Sequence, residues 1–181
     1  MKKLPFLILF LSISAYSQYF TTISGGLSLA IGDESEYLKP GPFASFESNV
    51  LLNKHFGIGG HIEYNWIISD TSKVIADRGG YHIFDIGLVP KLHIPVNRDF
   101  NFSFEIDPAY LLILAYAEIE DEGTISESAS GFMITYGTGI TFRKLSLAFK
   151  IKTGYFTIDN GYDDSLNNMN LLTFSIGYRF Q

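Results

Sequence analysis

Eleven ionisable residues of this chain fall where they could share one interior: Glu47, His61, Glu63, Asp85, Lys91, His93, Glu105, Asp107, Lys150, Lys152 and Arg179. Each lies in a segment whose apolar residues occupy every second position, and each stands on the polar parity of that segment. Most are four to seven residues from the same end of their segments, so a closed sheet would bring them to similar heights. An unpaired charge in a low-dielectric interior is costly. The expected chemistry is therefore ion pairing, a plug in which Lys150 and Lys152 reach Glu and Asp partners. The competing arrangement is a narrow water-filled path in which the same charges are solvated.

The segments that must position them are β-strands. FGIGGHIEYNWI (56–67) is typical: Phe56, Ile58, Ile62, Tyr64 and Trp66 share one parity, and Gly57, Gly59, His61, Glu63 and Asn65 the other. The same period of two recurs over about 19–31, 43–52, 81–95, 100–114, 130–142, 145–157 and 170–180, which makes eight strands. Long connections are expected at 32–42, 69–80, 117–129 and 158–169, and short ones at 53–55, 96–99 and 143–144. That alternation of lengths predicts an all-β, eight-stranded antiparallel up-and-down transmembrane β-barrel, with both chain ends on the short-turn side. Pro90 and Pro108 fall inside strands and cannot donate to a ladder, so a bulge or a local break is expected at each.

The chemistry of the two faces decides which one meets lipid. The polar face is mostly Gly, Ser, Thr, Ala and Asn, small enough for the narrow interior of an eight-stranded barrel. The apolar face is bulky on every strand and draws on 16 Phe and 11 Tyr. Turned inward it would overfill the barrel; turned outward it makes an apolar band with aromatic residues for the interfacial girdles. Closure also pairs every backbone group, as lipid demands. A secreted, soluble lipocalin-like barrel is the alternative. Residues 1–17 read as a secretory signal, with Lys2 and Lys3, an apolar run from Leu4 to Ile13, and Ala15 and Ser17 before the cut. That run is shorter than the ~20 residues of a spanning helix. The barrel domain is then 18–181.

The chain has no cysteine, which excludes disulfides, thiolate metal sites and a lipid-anchored cysteine. Its net charge of −6 argues against a nucleic-acid partner. The long connections carry thirteen acidic residues against three basic ones, so the side they occupy is acidic. EIEDEG (118–123) and DNGYDD (159–164) offer carboxylates of the kind that calcium or magnesium loops use, but neither has EF-hand spacing, and solvated surface is the favoured reading. No metal site and no cofactor is expected.

The closing stretch LTFSIGYRFQ resembles the C-terminal recognition strand of outer-membrane barrels, with Phe174, Ile176, Tyr178 and Phe180 as its alternating apolar residues. Residues 18–181 resemble the small eight-stranded barrels of the OmpX and OmpA barrel-domain type. FDIGLVPKLHIP and FEIDPAYLLIL are similar to PorT-like barrel domains of Bacteroidetes. The resemblance implies residence in the outer membrane of a Gram-negative bacterium, and contact with membrane lipid and lipopolysaccharide. It also implies recognition by the barrel-assembly machinery during insertion. Some barrels of this kind modify lipid A through a His–Ser pair two residues apart. Here His55, His61, His82 and His93 are followed at that spacing by Gly57, Glu63, Phe84 and Pro95. The expectation is a non-enzymatic envelope protein with a plugged lumen, structural or binding an unknown surface partner through acidic outer loops. The alternatives are a narrow channel for ions or small solutes and a lipid-modifying enzyme.

Overall fold

The structure is a computed structural model that describes residues 18–73, 78–119, 123–158 and 166–180. Eight strands form the wall: β1 (Gln18–Ile31), β2 (Gly41–Leu51), β3 (Phe56–Ser69), β4 (Arg78–Pro95), β5 (Phe100–Ile119), β6 (Gly123–Phe142), β7 (Leu145–Ile158) and β8 (Leu166–Phe180). Each pairs antiparallel with the next, and β8 returns to β1 with Thr21 opposite Phe180 and Ile31 opposite Asn170. The ring is therefore a closed up-and-down barrel with no sheet edge along its length.

The alternation sets the two faces. Ile23, Leu27, Phe46, Ile62, Ile86, Leu88, Phe104, Ile106, Tyr136, Leu147, Phe174 and Ile176 are all exposed on the outer wall. For a barrel in water this would be a large apolar surface; in a membrane it is the lipid-facing band.

The short connections are built on backbone capture by asparagine. In the β2–β3 turn, Asn53 Oδ1 accepts from the amides of His55 and Phe56 at 2.8 and 2.9 Å. In the β4–β5 turn, Asn97 Oδ1 accepts from the amides of Asp99 and Phe100, both at 2.9 Å. The repeated pattern Asn-(Lys/Arg)-X-Phe is thus an Asx-type turn feeding a Phe that opens the next strand. The β6–β7 turn is tighter and holds Arg143 at φ 53°.

At the opposite end, the connection after β1 contains one 3-10 turn, Asp33–Glu36, and a two-residue strand, Leu38–Lys39, paired with Ser69 and Ile68. Lys39 Nζ meets Asp70 Oδ1 at 2.9 Å, and Lys73 donates to the carbonyl of Glu36 at 2.9 Å. Asp70 also accepts from the hydroxyl and amide of Ser72. The Lys39 hydrogen bond, followed by those from Ser72, pulls the Asp70 carboxyl from its ordinary 3.8 down to about 2.

Two expectations meet the structure differently. The stretch 117–129 is not an open loop. The β5–β6 ladder runs through it, with Ala117 opposite Ile125 and Ile119 opposite Gly123. Around the prolines the ladder breaks without a bulge. Pairing of β4 with β5 stops after Gly87–Ala109 and resumes in the same register at Lys91–Glu105. Pro90 and Pro108 both lie in that gap, and each keeps its pairing position on its other side, opposite Ile58 and Ile134. Residues 1–17, 120–122 and 159–164, which hold the expected signal, half of the first acidic segment and all of the second, lie outside the described residues.

Candidate functional site

The lumen has two layers. In the half nearer the short turns, small inward residues leave room for long ones. A Cβ on Gly137 would sit 2.6 Å from Cγ of Glu105, the residue opposite it in register. Gly137 is therefore the space that Glu105 occupies, and Lys150 stands opposite Gly137 on its other side.

The charged side chains form two groups. In the first, Lys91 pairs with Glu47 and with Glu105 Oε2 (2.6 Å), and Lys150 pairs with Glu105 Oε1 (2.6 Å). Asn49 donates to Glu47. In the second, Lys152 donates to Glu63 Oε1 at 2.5 Å and to Asp85 Oδ2 at 3.1 Å. His61 Nε2 lies 2.5 Å from Asp85 Oδ1. Asn65 donates to Glu63 at 3.1 Å and accepts from Ser28 at 2.5 Å. These bonds join β7 to β3 and β4 straight across the interior, so they brace the barrel through its middle. All the ionic members are buried. A void of ≈ 40 Å³ remains beside Glu47, Lys91, Glu105 and Lys150, polar and large enough to hold water.

Three of the eleven residues stand apart from this bracing. Asp107 is fully buried, yet its nearest cation, Lys150, is 3.7 Å away, and neither carboxylate oxygen has a hydrogen-bond partner. Lys150 holds Glu105 much closer, so Asp107 is the underpaired member. His93 and Arg179 make no ion pair among the described residues. His93 Nδ1 meets Asn101 at 3.0 Å, and its ring lies edge-on to Phe20. Arg179 lies 4.1 Å over the same Phe20 ring and reaches Thr141 at 3.3 Å. They form a separate aromatic–cation group on the short-turn side of the ions.

The second layer is absent from the sequence reading. Ile67, Ile83, Ala109, Leu111, Ile113, Ala129, Met133, Phe156, Met169 and Leu171 point inward and form one buried cluster toward the long connections. Leu38, Ala30 and Tyr81 pack against it. Ile67, Ile83, Leu111 and Leu171 have no solvent exposure at all. A Cβ on Gly154 would come within 2.8 Å of Leu111 Cδ2, so a glycine again makes the room. The sequence signal was the loss of alternation in WII (66–68), LLIL (111–114) and LL (171–172). Apolar residues on both parities mark a strand buried on both faces.

On the outer wall, near the long connections, four rings gather. His82 stacks on Tyr64, Trp66 and Tyr116 with interplanar angles of 14°, 13° and 23°. Its Nδ1 is 2.7 Å from the Tyr64 hydroxyl. No group of three or more His, Asp or Glu side chains among the described residues is arranged to hold a metal ion.

No protein-family model matches the chain, and no curated protein matches its sequence. Solved structures do match. Neisserial surface protein A superposes with a TM-score of 0.58 at 10% identity, over 90% of this chain and 97% of that one. The attachment invasion locus protein Ail of Yersinia pestis gives 0.53 at 14% identity, over 90% and 97%. The same protein in complex with the heparin analogue sucrose octasulfate gives 0.51 at 15%, over 90% and 99%. The fold is that of the small outer-membrane β-barrels. At these identities the likeness concerns the fold alone.

Proposed function

We propose that this chain is a sealed outer-membrane barrel of a Gram-negative envelope. It acts through its surfaces, as a structural or surface-interaction protein, rather than by conducting solutes or by catalysis. The observation that carries this reading is the stacking of two barriers in one lumen. A solute entering from the short-turn side meets the cross-braced ion pairs. Beyond them it meets ten buried apolar residues with no polar partner to offer. Passing an ion through that layer would require desolvating it, which costs many kcal/mol.

The lumen residues then serve the barrel itself. They hold its cross-section, while the acidic outer connections supply the contact surface. Ail has been solved with a sulfated, anionic ligand. The excess of acids over bases in the long connections here favours a cationic or neutral partner over a polyanion.

The test is osmotic swelling of vesicles containing the inserted protein, with small sugars and amino acids as solutes. The expected result is a rate equal to that of protein-free vesicles. Swelling that scales inversely with solute size would replace this reading with the channel.

A further inference from the structure

We propose that the outer wall of β4–β6 carries a site for the uncharged, hydroxyl-rich head group of a membrane glycolipid. The proposal rests on the barrel being inserted in a membrane. A hollow of ≈ 330 Å³ there is lined by His82, Leu114, Tyr116, Ser126, Glu127 and Ser128. That volume lies at the lower end of the ~300–1,000 Å³ of small-molecule sites.

The register shows how the hollow is built. His82 stands opposite Leu114, which stands opposite Ser128; one step further out, Gly80 stands opposite Tyr116, which stands opposite Ser126. These residues share the parity of Phe84, Ile86 and Phe132, so they face away from the lumen. Gly80 puts no side chain beside Tyr116, and the serines on β6 are small where the rest of the wall is bulky. The hollow thus lies between a plane of stacked rings and a row of hydroxyls. It sits just beyond the apolar band, at the level where aromatic residues normally mark the membrane interface.

The lining selects the ligand chemistry. A sugar ring presents C–H groups to an aromatic face and hydroxyls along its edge. Tyr116 and His82 offer the face, since His82 is held parallel to Tyr116 by its stack and by the Tyr64 hydroxyl. Ser126 and Ser128 offer donors and acceptors along its edge. Glu127, between them, borders the hollow but stands on the lumen parity, opposite Ala115, which in turn stands opposite Tyr81 of the inner layer. No lysine or arginine lines the hollow. The nearest base in register, Arg78, stands a step further out, opposite Glu118. A phosphate would meet no fixed cation there, so the lining suits an uncharged head group better than an anionic one. The hollow opens sideways from the wall, toward the leaflet that surrounds it, and this favours a lipid-borne sugar over a dissolved one.

Trp66 is the chain's one tryptophan and stacks on His82 at 6.1 Å, so its emission reports on the site. The experiment inserts the protein into phosphatidylcholine vesicles and raises the content of a galactosyl diacylglycerol. Parallel series use phosphatidylglycerol and free galactose. The expected result is a saturable change in Trp66 emission with the galactolipid only. Tyr116→Ala is expected to need about tenfold more galactolipid. Ser128→Leu, which fills the hollow and suits the lipid face, should abolish the change without loss of folding. An equal response to phosphatidylglycerol would overturn the neutral head group. Saturation by free galactose would overturn the lipid assignment, and a response retained in Ser128→Leu would overturn the site. Failure of the barrel itself would show separately, as loss of heat-modifiable gel mobility and of protease protection in the same vesicles.

Discussion

Replacing Lys152 with methionine is the sharpest perturbation of the interior. The side chain is 1% exposed and bonds two carboxylates, Glu63 at 2.5 Å and Asp85 at 3.1 Å. Methionine keeps most of the stem's volume, so little of the effect comes from a cavity. Asp85 would still have His61 at 2.5 Å. Glu63 would keep only the Asn65 amide at 3.1 Å and would become a buried carboxylate without a cation. Breaking a buried pair from one side costs ~3–5 kcal/mol, and the surviving neutral hydrogen bond offsets little of that. We expect a loss of about 4 kcal/mol, a large part of a barrel stability of order ~10 kcal/mol. Adding Glu63→Gln removes the stranded charge, so the double variant should recover about 2–3 kcal/mol of it. The assay is reversible urea unfolding of the refolded protein in detergent or short-chain lipid, followed by Trp66 emission. A loss below ~1 kcal/mol, the value of an exposed pair, would mean that water screens these charges. The lumen would then be hydrated rather than dry and braced.

Other outcomes follow from the same geometry. Asp107→Asn removes a buried charge with no close partner, so it should leave stability unchanged or raise it by about 1–2 kcal/mol; a loss above ~1 kcal/mol in the same unfolding assay would make Asp107 a working partner of Lys150. Leu111→Ala should cost ~2–5 kcal/mol, because a residue with no exposure is cut from a packed layer; a smaller loss would indicate a loosely filled seal. The Asp70 carboxyl should titrate at about 2 by NMR and move up toward 3.8 in Lys39→Met, the Ser72 bonds opposing a full return. Since its folded value is the lower one, the anchoring it provides is complete above pH ~4 and fades as the pH falls through ~2. A wild-type midpoint near 3.8 would mean that the Lys39 contact does not persist in solution.

The strands, their order and the turns were legible because one physical signal, a period of two, runs through each segment and stops at Asn-rich turns. The charged lumen was legible from parity alone. What parity does not carry is height across neighbouring strands, which depends on stagger and tilt. That is why Asp107 ends 3.7 Å from its cation, and why His93 and Arg179 gather around Phe20 instead of joining the ions. The apolar seal was hidden for a different reason. Where both faces are buried the alternation disappears, and LLIL reads the same whether its inward side chains meet lipid, water or one another. The 117–129 segment looked like a loop because its Glu, Ser, Thr and Gly residues need not pack on either face. Backbone pairing with β5 extends the sheet there without asking anything of the side chains. The hollow beside His82 depends on Gly80, Tyr116 and two serines meeting across three strands, a coincidence of register that no single strand announces.

The proposed closure of the lumen is decided by single-channel recording of the inserted, heat-modifiable protein in a planar bilayer. Barrels whose insertion is demonstrated independently should show no openings. Reproducible openings whose size changes when Lys150 or Glu105 is neutralised would contradict closure, because only a water-filled path past those residues could conduct.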